Sequence, residues 1–164
     1  MNLTRAAREV YNWNETFRHI PEDDDAREDL WRYDADHRDL ALRLIEEEVK
    51  ELREASTTLE DIVAKGGELY FEDVWKAPQD SYLPKANDVE VLDAIADILF
   101  TVLGLAAKAG LTELVEPAFK EVVRSNWTKM GPDGPEFYPN GKVAKPDTYE
   151  APDLRQFFDE EDLA

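Results

Sequence analysis

Cysteine is missing from all 164 residues, which removes disulfide frameworks, thiolate metal sites and cysteine nucleophiles together and fits a reducing compartment. Histidine is nearly as scarce, with only His19 and His37. A di-iron bundle needs a Glu-x-x-His pair from each of two helices, and neither histidine completes one. Asp34-Ala-Asp36-His37 is a lone D-x-x-H near a helix start, where capping is the expected role. Long hydrophobic runs are also lacking. The longest, residues 98–107, is about half of the roughly 20 residues that cross a bilayer, and it reads as a buried helix. Residues 1–11 carry scattered charge and no apolar stretch, so neither a secretory signal nor a membrane partner is expected, and the expected location is cytoplasmic.

Basic charge is the remaining shortage. Nineteen Lys and Arg face 38 Asp and Glu, for a net charge of −19. Such a surface repels phosphate backbones and argues against double-stranded nucleic acid as a partner. The excess would also suit a salty habitat, although lysine, at nine of the nineteen bases, is hardly depleted. It makes E-x-x-E pairs common by chance, so each acidic motif needs support beyond its spacing.

With 43% hydrophobic and 35% charged residues, the chain has the composition of a globular protein, and its length predicts one domain over residues 1–164. Apolar positions recur at helical spacing over residues 3–17 (Leu3, Ala6, Val10, Trp13, Phe17), more weakly over 26–33, and strongly over 36–64, where Gly66-Gly67 supplies a stop. Residues 65–86 read as a long ordered connection. A further helix spans 87–108 with Gly110 beyond it, and another starts between Thr112 and Glu116 and runs to Trp127. Residues 131–153 are rich in Gly, Pro and Asp and predict no helix, while 154–163 could form a short terminal one. The expectation is an all-α bundle of four to five helices, with core 38–130 and an ordered, irregular C-terminal segment over 131–154.

Two acidic motifs stand out. Glu47, Glu48 and Glu51 fall within about 100° of arc on the second long helix. A solvated face explains them equally well. Glu90, Asp93 and Asp97 fall within roughly 60° on the next helix, beside Val91, Leu92, Ile95, Ile98 and Leu99. A helix so apolar in its second half is expected to be buried, and buried carboxylates must be paired or hold a metal. No base lies between Lys85 and Lys108, so a hard divalent ion, Mg²⁺ or Mn²⁺, is the simplest partner. The alternative is a salt-bridge network to Arg43, Arg53 or a second subunit. Residues 120–145 reverse the sign, with five bases (Lys120, Arg124, Lys129, Lys142, Lys145) against three acids. Lysines there suit phosphate groups, unless they are an ordinary mixed surface.

Glu47-Glu48-x-x-Glu51, followed by Glu90-x-x-Asp93 and Asp97-Ile-Leu-Phe, resembles the all-α NTP pyrophosphohydrolases, a superfamily that includes MazG-like enzymes, phosphoribosyl-ATP pyrophosphohydrolases and dimeric dUTPases. Asn126-x-x-Lys129, Gly141-Lys142-Val-Ala-Lys145 and Pro152-Asp153-Leu154 are similar to the MazG-like branch found in bacteria and phages. The likeness covers roughly residues 38–64 and 87–154. It departs at Ala94, where many members carry a Glu, so Glu90 and Asp93 must serve as the second motif with Asp97 one turn on.

The resemblance implies Mg²⁺-dependent cleavage of a (d)NTP between its α and β phosphates, giving a monophosphate and pyrophosphate, in nucleotide house-cleaning or dUTPase-like roles. It implies metal ligation by Glu48, Glu51, Glu90 and Asp93 with Glu47 and Asp97 beside them, and Glu47 as general base. Asn126, Lys129, Lys142, Lys145 and Tyr149 would bind substrate, and the chain would form a homodimer or tetramer. Trp13 and Phe17 are candidates for base stacking, with core packing the expected role. The sister activity on phosphoribosyl-ATP is the alternative. A non-enzymatic acidic DNA mimic and a helical interaction module are the readings from other classes.

Overall fold

The computed structural model describes residues 2–57, 87–132 and 134–159. Its regular elements are helical: α1 (Leu3–Thr16), α2 (Asp24–Tyr33), α3 (Ala35–Ser56), α4 (Asp88–Lys108) and α5 (Val115–Trp127), with single 3₁₀ turns at Thr112–Leu114 and Arg155–Phe157. Among the described residues the only β pairing is two isolated bridges, Gly131 with Gly134 and Phe137 with Val143. None of the described helices is long and apolar enough to cross a membrane. The chain divides into two compact units, one of residues 10–110 and one of residues 1–9 with 111–164.

In the unit of residues 10–110, α3 and α4 make the most extensive contact and α2 touches both. Helix ends are set by side chains, as the sequence chemistry dictates. Asp23 caps α2 by accepting from the Ala26 amide, and Asp34 caps α3 by accepting from the His37 amide at 3.0 Å. The D-x-x-H is thus a cap. Arg18, at φ 59°, ends α1 in the left-handed region one residue before the Asn14 carbonyl accepts from the His19 amide. The core is rich in alanine. Ala94, Leu103, Ala106 and Ala107 are buried with Val10, Ile20 and Ala41. At Gly104 a Cβ would meet the Asn14 side-chain amide at 3.5 Å and the Val10 side chain at 4.0 Å, ordinary van der Waals contacts that place α1 against α4 there. The buried Asn14 is satisfied within its own helix, Nδ2 donating to the Val10 carbonyl at 2.9 Å.

The expectation that residues 98–107 form a buried helix holds only for the end of that run. Leu103, Gly104, Ala106 and Ala107 are buried, whereas Leu99, Phe100 and Val102 are 47%, 37% and 43% exposed, and further up the helix Val89 and Leu92 are more exposed still. The periodicity identified an apolar surface but not what covers it. Trp13 and Phe17 likewise are not in the core. They stack on each other at 4.6 Å, and Trp13 also stacks on His19 and meets Phe100 edge-on.

In the unit of residues 1–9 and 111–164, Thr4 of α1 donates its backbone N–H and its hydroxyl to Glu116 of α5, and Arg8 pairs with Glu113. The start expected near Thr112 or Glu116 resolves into a 3₁₀ turn followed by α5 from Val115. The terminal helix expected over 154–163 is a single turn, Arg155–Phe157, and residues 160–163 lie outside the described ones. The helix expected over 36–64 ends earlier, at Ser56, because Thr57 leaves the helical region for extended backbone at φ −88° and ψ 126°; residues 58–64, the stop expected at Gly66-Gly67 and the 65–86 connection lie outside the described residues.

Candidate functional site

Helix α3 carries Glu47, Glu48 and Glu51 and, one turn on, Glu54. On α4, Asn87 is the N-cap, its side chain accepting from the Val89 and Glu90 amides, which fixes Glu90 in the first turn where the helix dipole favours an acid. Asp93 and Asp97 follow at one-turn intervals. Where the two helices face each other lies a cavity of about 310 Å³ lined by Glu51, Glu54, Glu90 and Asp93, with Ala55, Thr57 and the buried Ala94 between them. Glu51, Glu90 and Asp93 are therefore brought together as their spacing predicted. Glu54 was missed: it completes a Glu47-Glu51-Glu54 run on one face, a signal hidden by the general abundance of acids.

Electrostatics connect the remaining carboxylates to the same focus. The Glu48 carboxyl is pushed above the usual carboxylate range, first by burial and then by the negative charges of Glu51, Asp97, Glu47 and Asp93. That cause links both helices, and Asp97 contributes to it although Asp97 does not line the cavity. The expected salt-bridge alternative finds little support nearby. Arg43 pairs with Asp39 one turn away at 3.1 Å, and Lys50 offsets only Glu54, at 3.5 Å.

The donor set is entirely carboxylate oxygen with mutual repulsion left standing, which fits a hard divalent cation such as Mg²⁺ or Mn²⁺. Among the described residues no three acids or histidines are drawn in to ligating arrangement, so the carboxylates share a cavity without yet forming a closed coordination sphere.

The C-terminal segment is fastened to α5 by a different kind of network. Arg124 donates to Glu121 at 2.8 Å and to Glu150 at 2.7 Å, Ser125 donates to the Glu150 carbonyl at 2.8 Å, and the Asp153 amide donates to Glu121 at 2.9 Å. Lys120 pairs with Glu116 at 2.6 Å. Two of the five bases in the expected basic stretch are thus spent on structure. Of the others, Lys129 donates to Asn126 Oδ1 at 2.6 Å and Lys145 lies over the Tyr149 ring at 4.5 Å, while Lys142 is exposed. The Tyr149 hydroxyl is held below its usual range by its contact with Ser125 and then by the charges of Lys145 and Lys129, so both ammoniums approach it. Lys129 and Lys145 also line one cavity of about 370 Å³. Asn126, Lys129, Lys145 and Tyr149 are therefore gathered together. Nothing in the described contacts ties Lys142 to them beyond its place in the same turn region.

A helical protein with paired acidic motifs on two antiparallel-type helix faces and a lysine-bearing C-terminal segment has the features of the all-α nucleotide pyrophosphohydrolases. The family model described as phosphoribosyl-ATP pyrophosphohydrolase matches residues 15–126, and the chain belongs to that family. It is therefore placed among hydrolases that act on acid anhydrides. A search of curated proteins gave no match.

Proposed function

We propose that this protein cleaves a nucleotide between its α and β phosphates and releases pyrophosphate, with phosphoribosyl-ATP as the substrate that the family match favours. The observation that carries the reading is the meeting of Glu51, Glu90 and Asp93 on one cavity, with Glu48 raised by the surrounding acids. In this reading Glu48, Glu51, Glu90 and Asp93 hold Mg²⁺, and Asp97 supports Glu48. Bound divalent ions would polarise the phosphoryl oxygens and acidify a water for in-line attack. Glu47, one residue from the first ligand, accepts the proton of that water. Asn126, Lys129, Lys142, Lys145 and Tyr149 bind phosphate or sugar.

The second reading takes free (d)NTPs as substrates. It is favoured by the C-terminal segment, which continues past the family match with its own lysine-lined cavity. Purified protein with Mg²⁺ is offered phosphoribosyl-ATP and a panel of (d)NTPs, scoring pyrophosphate against phosphate. Pyrophosphate release with the highest kcat/KM on phosphoribosyl-ATP supports the first reading. Preference for one (d)NTP transfers the assignment to the second, and release of neither product from any substrate rejects both.

A homodimer belongs to the proposal. The exposed Val89, Leu92, Ile95, Leu99 and Val102 form an apolar stripe centred on the side of α4 away from Glu90, Asp93 and Asp97, the kind of patch that marks an interface. Solution mass by light scattering is expected to be twice that of the 18.8 kDa chain or a multiple of it. A monomer at micromolar concentration would remove this part.

A further inference from the structure

We propose that Trp127 forms one wall of a nucleobase slot, so that the unit of residues 1–9 and 111–164 grips a nucleotide by its base and by its phosphates at adjoining pockets. The inference rests on the nucleotide reading above and adds the residue that would recognise the base.

Trp127 is the last residue of α5 and is 69% exposed, although the C-terminal segment folds back onto the same helix end. Solvating so large an aromatic surface is unfavourable, and the neighbouring groups are arranged to share it with something flat. A cavity of about 260 Å³, close to the lower end of the roughly 300–1,000 Å³ common for small-molecule sites, is lined by Trp127, Met130, Pro135 and Val143 together with Asn126 and Lys129. Its walls are an indole, a thioether, a proline ring and a branched aliphatic chain, which suit the face of a planar heterocycle. Its polar lining includes one amide, Asn126, of the type that reads the hydrogen-bonding edge of a base.

The identity of the occupant follows from what adjoins the slot. Lys129 lines this cavity and also the larger one that holds Lys145 and Thr148, so the two share a wall. Glu136 and Asp147 share the larger cavity, yet its two ammoniums are steered by neutral partners, the Asn126 carbonyl oxygen and the Tyr149 ring, and keep their charge for a ligand. An apolar slot joined to a pocket that presents two lysine ammoniums beside Glu136 and Asp147, in a chain of net charge −19, fits a planar base carrying phosphate and does not fit a lipid or an apolar peptide. Stacking on an exposed aromatic tolerates any base. Discrimination would come from Asn126.

The test uses the full chain in EDTA, so that the carboxylate cavity plays no part, with ATP and inorganic tripolyphosphate as separate calorimetric probes. In Trp127→Leu, ATP affinity is expected to fall about tenfold or more, with tripolyphosphate affinity unchanged, and Trp127→Phe should restore most of the ATP affinity. Undiminished ATP binding by Trp127→Leu would overturn the slot, as would equal losses for both probes or no ATP binding by the wild type. A change in solution mass in Trp127→Leu, with ATP affinity intact, would show that a second copy covers the indole instead. Glu51→Gln separates the two ideas: it should keep metal-free ATP binding while losing turnover, so absence of turnover in the wild type rejects the hydrolase reading without touching the slot.

Discussion

The cavity flanked by α3 and α4 and the network around Arg124 are both built on carboxylates, but under opposite electrostatics. In the first, Glu48 is surrounded by acids and its carboxyl is pushed up. In the second, each acid has a cation in hydrogen-bond reach. Glu121 is lowered to about 2 by Arg124 and then by the Asp153 amide, and Glu116 is lowered to about 2 by Lys120 and then by Thr4. A fold that balances its charges so fully at α5 has the means to do so at α3 and α4 as well. Leaving acids there facing one another costs stability unless a cation arrives from solution, so the imbalance itself points to function.

The sharpest way to break that comparison is to neutralise one acid of the unbalanced set. Glu51→Gln and Asp93→Asn should each lower kcat by more than about 100-fold, since even groups that only orient metal ligands are worth 10–100-fold. Helical content should remain, and the apo protein should be no less stable, because a repulsion is being removed. Wild-type turnover in either variant, measured by pyrophosphate release beside circular dichroism, would return the cluster to an ordinary solvated face.

Removing a cation from the other region should act on binding rather than on the chemical step. Lys129→Ala and Lys145→Ala are expected to raise KM about 10- to 100-fold with little change in kcat, the range for a lost charge-assisted hydrogen bond. Lys142→Ala should do less, as Lys142 lines neither cavity. Equal effects from all three would mean that the segment acts through diffuse charge alone, and raising the salt concentration would then abolish them.

What could be read in advance divides along the same line. Spacing of three, four and seven residues is local geometry, so the faces of α3 and α4 and their shared acids were legible from Glu47, Glu51, Glu90 and Asp93. The cap at Asp34 belongs to the same class, whereas the one at Asn87 came from the structure. Burial was not legible, because Leu92 and Leu99 carry an apolar signal whether the covering surface comes from this chain or from elsewhere. Trp127 went unnoticed for a related reason: its slot is built by Met130, Pro135 and Val143, from a segment without periodicity, and only the folded backbone brings them to one helix end. The role of Arg124 was also hidden. The sequence showed Arg124 only as one of five bases in a stretch of reversed sign, while its partners Glu121 and Glu150 make it a structural pin.

That pin gives the smallest expected effect and the most direct check on the balanced region. Glu121 has its folded pKa depressed to about 2 from its ordinary value of 4.5. Its contribution is therefore present above about pH 4.5 and is lost as the pH falls through about 2. Because the groups are solvent-exposed, the loss should be modest and screened by salt. The readout is hydrogen exchange at the Asp153 amide, which donates to Glu121, compared with the Glu150 amide, which donates to Thr128 at 2.9 Å. Acidification should release Asp153 first. In Glu121→Gln the Asp153 amide should exchange faster already at neutral pH, and the acid step should disappear. If both amides stay protected to pH 2 in the wild type, apolar packing rather than charge holds the segment, and the contrast with the α3 and α4 acids loses its balanced half.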